Sequence, residues 1–254
     1  MDVQILEGCE GFALGDGPVG ALLVHGYTGS PQGLRDLGEE LARAGIAVQA
    51  PLLPGHGTTW QDLSTRTADE WTSTVENAYE ELAGRTEEVF LVSLSFGSAL
   101  ALDFTARHPR KIAGLVSLAG MVFNKDPLRH LAPLAAKVVK SIPGVGNDIA
   151  DPDNRIEIAY NRVPTRSTVQ MLRMCARAKR ALPQVTVPIL IMHGREDHTV
   201  HPSNATYIYD NVGSADKELL WLERSYHVIT LDYDRDVLTE RTLRFIKERA
   251  SHAI

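Results

Sequence analysis

The stretch Val89-Phe90-Leu91-Val92-Ser93-Leu94 is apolar except for one small hydroxyl. It ends at Ser95-Phe96-Gly97, and Ser98-Ala99-Leu100 opens a helical run at once. A buried strand that breaks straight into a helix implies a sharp turn between them, and few architectures contain one. The usual setting is a parallel sheet whose helices pack back over its faces. In a Ser-x-Ser-x-Gly turn of this kind one hydroxyl is carried to the apex, clear of its own backbone. Ser95 is therefore the candidate nucleophile, provided a histidine and an acid arrive from later loops. The plainer alternative is a small residue chosen for a crowded strand–helix junction. Position 93 holds serine where a G-x-S-x-G pattern has glycine, and serine is the next-smallest polar substitute. Ser93 is a poor nucleophile candidate, because Ser95 stands two residues after it where glycine belongs and Leu91 two residues before.

Around this turn, strand-like and helix-like stretches alternate. Short apolar runs at Ala21–His25, Ile46–Ala50, Ile112–Leu118, Pro188–Met192 and Leu219–Leu222 read as buried strands. Ser30-Pro31 reads as a helix start and Gly45 as its stop, with Leu34, Leu37 and Leu41 between them. Thr67 with Glu70 makes a capping box for a helix to about Ala83. A closing helix from about Asp236 to Arg249 puts Leu238, Thr242, Phe245 and Ile246 on one face. Fully apolar strands in this rhythm predict an α/β fold with a mostly parallel central sheet covered by helices on both faces. Residues 121–187 interrupt it. No strand is evident there, and Leu128, Leu131, Leu134, Ala135, Val138, Val139 and Ile142 repeat at helical spacing. A Gly/Pro/Asp-rich break and two more helix-like stretches follow. The expected organisation is a core of residues 1–120 and 188–254 with a helical cap at 121–187.

Charge and cysteine content narrow the partners. A net charge of −6 argues against nucleic acid, and two distant cysteines without Cys/His spacing argue against zinc or a disulfide framework. Neither a signal peptide nor an 18-residue apolar run is visible, so the expectation is a soluble cytoplasmic protein. The cap carries 11 Lys+Arg against 5 Asp+Glu, the remainder 15 against 27. A solvated cap surface accounts for this. The alternative is transient contact with an anionic lipid surface through Arg173, Arg177 and Arg180.

The acid and base should follow the serine in that order. Asp197 lies in His193-Gly194-Arg195-Glu196-Asp197-His198, just past a strand end, where ligand sites of open parallel sheets form. Glu196 is its competitor. His227 lies in the loop after the last strand. His193, His198 and His201 compete with it but sit too near the acid to occupy a separate loop. Two N–H groups are needed for an oxyanion: Phe96 N–H, directly after the serine at a helix N-terminus, and Tyr27 N–H, after the first of these strands. His25 is read as holding that loop. Leu131, Leu134, Val138 and Met171 are candidates for an acyl pocket under the cap. No cofactor or metal is expected.

These residues together resemble an α/β-hydrolase, and more narrowly the bacterial carboxylesterases and monoacylglycerol lipases with a small helical cap. The resemblance runs nearly end to end. It is carried by Leu23-Val24-His25-Gly26-Tyr27-Thr28-Gly29, by Pro54-Gly55-His56-Gly57, by the turn at Ser95, by Asp197 with Val200 and Pro202, and by Ser225-Tyr226-His227-Val228-Ile229-Thr230-Leu231-Asp232. It implies a triad of Ser95, Asp197 and His227, an oxyanion N–H from Tyr27, and a small-molecule ester or monoacylglycerol as substrate. Tyr226 stands where relatives commonly have glycine, so its ring is expected to narrow the alcohol side of the cleft. A hydrolase of thioesters, lactones, amides or C–C bonds on the same scaffold is the alternative, and a ligand receptor that keeps the three residues is the non-enzymatic one.

Overall fold

In the computed structural model, which describes residues 3–125, 132–144, 146–151 and 156–253, seven strands form one sheet. They are β1 (Phe12–Leu14), β2 (Val19–Val24), β3 (Ala47–Ala50), β4 (Glu88–Leu94), β5 (Gly114–Leu118), β8 (Ile189–Gly194) and β9 (Lys217–Leu222), in the order β1-β3-β2-β4-β5-β8-β9. Only β1 runs antiparallel, Phe12 facing Ala50. The central strands are buried on both faces, which is why they read as continuous apolar runs. One apolar layer, with Leu22, Leu91, Phe96, Leu115 and Ile191, packs under α3 (Ala68–Ala83), α4 (Phe96–Arg107) and α7 (Ser203–Asn211). The other, with Leu23, Phe90, Val92, Val116 and Met192, lies under α1 (Arg35–Arg43) and α8 (Arg235–Arg249).

Local chemistry sets the helix ends. Ser30-Pro31 starts a single 3-10 turn, Pro31–Leu34, that runs into α1. The Thr67–Glu70 capping box is formed at α3, with each side chain meeting the other residue's backbone N–H. Trp60–Leu63 adds the one-turn α2. Burial along α8 falls on Leu238, Thr242, Phe245 and Ile246. Among the described residues, no helix is long and apolar enough to cross a membrane.

The chain between β5 and β8 departs from the expected all-helical segment. It contains α5 (Ala132–Val138), a long α6 (Thr165–Ala181) and the 3-10 turn Leu182–Gln184. It also contains a two-stranded antiparallel sheet of β6 (Ser141–Pro143) and β7 (Arg162–Pro164), with Ser141 opposite Pro164. Three-residue strands ending in proline have no alternation to detect, and their pairing spans about twenty residues. Ile142, which fits the helical spacing, is in β6, and residues 156–161 have no regular structure. Leu128 and Leu131 lie outside the described residues.

The α6 helix packs on α4, and one buried carboxylate joins them. Asp103 accepts from Arg177 Nε at 2.7 Å and Nη2 at 2.8 Å, and from Arg107 Nε at 2.9 Å. Arg177 is thus held to the core by Asp103 while still partly exposed, and Arg173 and Arg180 are exposed. Asp103→Ala should lower the free energy of unfolding by about 2–3 kcal/mol, since both guanidiniums still reach water and the loss falls below that of a wholly buried pair. The shift of the urea midpoint measures it.

Candidate functional site

Ser95 joins β4 to α4 with φ 55° and ψ −120°. This unfavourable conformation for an L-residue is held from both sides: Ser95 N–H donates to Leu118 O at 2.8 Å, and Met121 N–H donates to Ser95 O at 3.1 Å. Among the described residues, the other non-glycine positive φ angles are at Thr28 and Ala119, in the segments that follow β2 and β5. All three lie along one rim of the sheet. The turn also needs Gly97, because a Cβ there would stand 2.2 Å from Val24 O and 2.6 Å from His25 O. Ser93 fits in place of the pattern's glycine because its hydroxyl, 3.2 Å from Val116 O and 3.1 Å from Ser98 Oγ, has partners in the junction.

His227 and Asp197 come to Ser95 from the loops after β9 and β8. His227 Nε2 lies 3.0 Å from Ser95 Oγ, and His227 Nδ1 lies 2.8 Å from Asp197 Oδ2. A carboxylate only accepts, so Nδ1 carries the proton and Nε2 is left free to accept from the serine. Asp197 Oδ1 accepts from Val200 N–H at 2.7 Å and Thr199 N–H at 2.9 Å. His193 Nε2 lies 3.0 Å from Asp197 Oδ2 and 2.9 Å from Val200 O. Burial alone would push the Asp197 carboxyl up, but the hydrogen bonds from His193 and His227 prevail and hold it far below the usual carboxylate range. Burial would likewise lower the His227 pKa. The bond to Asp197 and its charge, with smaller contributions from Glu157 and Asp148, raise it instead. The competitors have other surroundings. Glu196 is exposed, His198 pairs with Asp148, and His201 lies beside Lys125.

The loop after β2 closes the other side. A Cβ on Gly26 would lie 3.1 Å from Ser95 Cβ, so the backbone leading to Tyr27 runs directly against the serine. Phe96 is the first residue of α4, and its N–H has no acceptor within the helix. His25 holds this loop as expected: its Nε2 accepts from Leu53 N–H at 3.1 Å, and Nδ1 lies 2.9 Å from Gly26 O. Burial lowers its pKa to about 4 against the opposing bond to Gly26, so it stays neutral. The Tyr27 hydroxyl sits 2.8 Å from Ser167 Oγ on α6. Burial pushes it up to about 12, although the bonds to Ser167 and Thr168 pull the other way.

A cleft of about 320 Å³ opens over Ser95 and His227. Tyr27, Phe96 and Met171 line it. Leu134 and Val138 do not: they are 63% and 82% exposed, because α5 turns that face to solvent. Ile142 and Val163, from the small antiparallel sheet, take their place. Leu131 lies outside the described residues. The Tyr226 ring does not line the cleft either, since it packs edge-on against the His198 ring at 4.5 Å. Glu157, which sequence reasoning missed, does line it. Its carboxylate abuts Gly29, and among the described residues no hydrogen bond reaches it. Burial raises its pKa, opposed by the nearby His227. Nothing in the local pattern around residue 157 marks it, because its position depends on how the insertion folds back. No group of three or more metal-ligating side chains occurs among the described residues.

Comparison with known proteins agrees with this geometry. The chain is 38% identical over 252 residues to a thermostable monoacylglycerol lipase of Bacillus sp. (strain H-257), covering 97% of each. It is 27% identical to a carboxylesterase of Bacillus subtilis (strain 168), over 93% of this chain and 96% of that one. A solved structure of a metagenome-derived lipolytic enzyme, from work on LipS and LipT, superposes with a TM-score of 0.93 at 38% identity, over 96% of this chain and all of the other. Residues 20–234 match the family described as serine aminopeptidase, S33. With that match covering most of the chain, including β3 to β9 and all three residues of the hydrogen-bonded chain, this protein belongs to the serine aminopeptidase S33 family of α/β-hydrolases.

Proposed function

We propose that this chain is a serine hydrolase of carboxylic esters, with monoacylglycerols or short- to medium-chain acyl esters as substrates. The observation that carries the reading is the unbroken line from Ser95 Oγ through the two nitrogens of His227 to an ionised Asp197. Neutral His227 takes the Ser95 proton on Nε2 as Oγ bonds to the acyl carbon. The carbonyl oxygen becomes an oxyanion held by the N–H groups of Tyr27 and Phe96. Collapse breaks the carbon–oxygen bond to the alcohol, which leaves with the proton from Nε2. Water then gives a proton to Nε2, its oxygen attacks the acyl carbon, and the Ser95 Oγ–carbon bond breaks as the proton returns to Ser95. The products are one alcohol and one carboxylic acid.

Two features support an ester over an amide, and a glycerol ester over a simple one. The likeness to a monoacylglycerol lipase extends over nearly all of both chains. Glu157 is an acceptor without a hydrogen-bond partner among the described residues, and it lines the same largely apolar cleft as the serine. A leaving alcohol that carries further hydroxyls satisfies it, whereas a plain alcohol leaves it unpaired. In this reading residues 121–187 act as a cap that supplies the acyl-facing side chains.

Ser95→Ala should abolish both p-nitrophenyl butyrate turnover and covalent uptake of a fluorophosphonate probe, read by mass spectrometry of the Ser95 peptide. Turnover at the wild-type rate in Ser95→Ala would end this assignment. Faster cleavage of an aminoacyl p-nitroanilide than of the ester would move it to the amide alternative. Because the His227 pKa is raised, base catalysis requires its loss of a proton above the ordinary histidine value. A plot of kcat/KM against pH should therefore have its acid limb above 6.5. Asp197→Asn should move that limb to lower pH and reduce kcat by about 10⁴. Glu157→Leu should lower kcat/KM for a monoacylglycerol at least tenfold more than for the p-nitrophenyl ester of the same acid, a difference of about 1.4 kcal/mol.

A further inference from the structure

The loops that carry Asp197 and His227 leave adjacent parallel strands whose pairing ends at Gly194 and Leu222. Arg195 N–H still reaches Leu222 O at 2.9 Å. Beyond that point a third segment lies across both loops. Residues 146–151, which belong to the insertion, are bonded to each of them. The Asp148 carbonyl accepts from His227 N–H at 3.0 Å and Val228 N–H at 3.1 Å. Its carboxylate, only 9% exposed, accepts from His198 N–H and the Thr199 hydroxyl at 3.0 Å each, and lies 2.9 Å from His198 Nδ1. One residue therefore grips the backbone of the base at one end and the residues directly after the acid at the other.

The segment is itself pinned. Asp232, fully buried, accepts from Ala150 and Asp151 N–H at 2.8 and 3.0 Å, and from Tyr226 and Tyr233 N–H at 2.8 Å each. Asp232 touches the insertion and the histidine loop, and Asp148 reaches the acid loop as well.

We propose that Asp148 is a positioning residue, which fastens the loop bearing Asp197 to the loop bearing His227 and so sets the reach of the imidazole to both its partners. This rests on the reading of Ser95, Asp197 and His227 given above. The effect is on geometry first. A misplacement of the order of 1 Å in a reacting group is enough to cost about a hundredfold in rate. Three carboxylates face His227 (Asp197 from the loop after β8, Glu157 and Asp148 from the insertion), so removing one also changes the charge felt by the imidazolium. His198, beside Asp148, is exposed and is itself held protonated to higher pH by that carboxylate.

The test compares wild type, Asp148→Ala and Asp148→Asn with p-nitrophenyl butyrate, with rates expressed per site titrated by a fluorophosphonate and each variant kept well below its own Tm. Asp148→Ala should lower kcat per titrated site about tenfold with KM within about threefold, and slow probe uptake in parallel. Asp148→Asn keeps the main-chain acceptor and an amide oxygen for Thr199, so kcat should return to within about threefold of wild type. Its acid limb should move to lower pH, since one negative charge is lost. A fall in Tm with kcat per site and the acid limb unchanged in both variants overturns the positioning role and leaves the hydrolase reading intact. Should Asp148→Ala not fold, Asp148→Asn decides: a displaced acid limb supports the role, and a profile identical to wild type overturns it. A wild type that neither cleaves the ester nor takes up the probe ends both readings.

Discussion

The structure turns on a close approach. The helix behind Ser95 passes so near the end of β2 that only a hydrogen fits on the α-carbon of residue 97. That contact brings the serine and the loop of Tyr27 against each other and lets the strained φ of Ser95 persist. The conformation is held by neighbours, through the Leu118 carbonyl and the Met121 N–H, and does not depend on Ser95's own preference. Once the serine is fixed, the loops after β8 and β9 have a defined point to meet. Everything chemical in the cleft is measured from it.

Electrostatics then assigns the protons. Four donors, two backbone N–H groups and two imidazoles, surround the Asp197 carboxylate, so it stays ionised despite its burial. An ionised Asp197 holds one tautomer of His227 and raises its affinity for a second proton. His25 is equally buried but lacks a carboxylate, and its pKa falls instead. The contrast between these two histidines comes from the carboxylates that face His227, Asp197 foremost.

The sheet was legible because its strands are short, fully buried and bounded by turn residues, so that apolar runs mark them. Ser95, Asp197 and His227 could be named because each follows such a run, where side chains converge on one rim. What escaped depends on distant pairing. β6 and β7 are three residues each, and nothing within either announces the other. Periodicity from Leu128 to Ile142 suggested one helix, yet Val138 ends on a solvent-facing surface and Ile142 in a strand. Leu134 and Val138, two pocket candidates chosen from that helix, face solvent instead. Glu157 and Asp148 gave no sign, because an acid in a Gly/Pro/Asp-rich stretch is ordinarily just solvated.

The insertion is joined to the core by several specific bonds. Tyr27 of the first loop meets Ser167, Asp103 of the core helix holds Arg177, and Asp232 gathers the backbone of Ala150 and Asp151. Each of these core residues lies outside the segment it fastens. Exchange of residues 121–187 for the corresponding part of a relative therefore leaves behind a phenol and two carboxylates shaped for partners that have gone. Recombination between members of this family can succeed only where the donor segment brings matching hydroxyl, guanidinium and amide groups. Such a segment is then inherited as a block that includes its own fastenings.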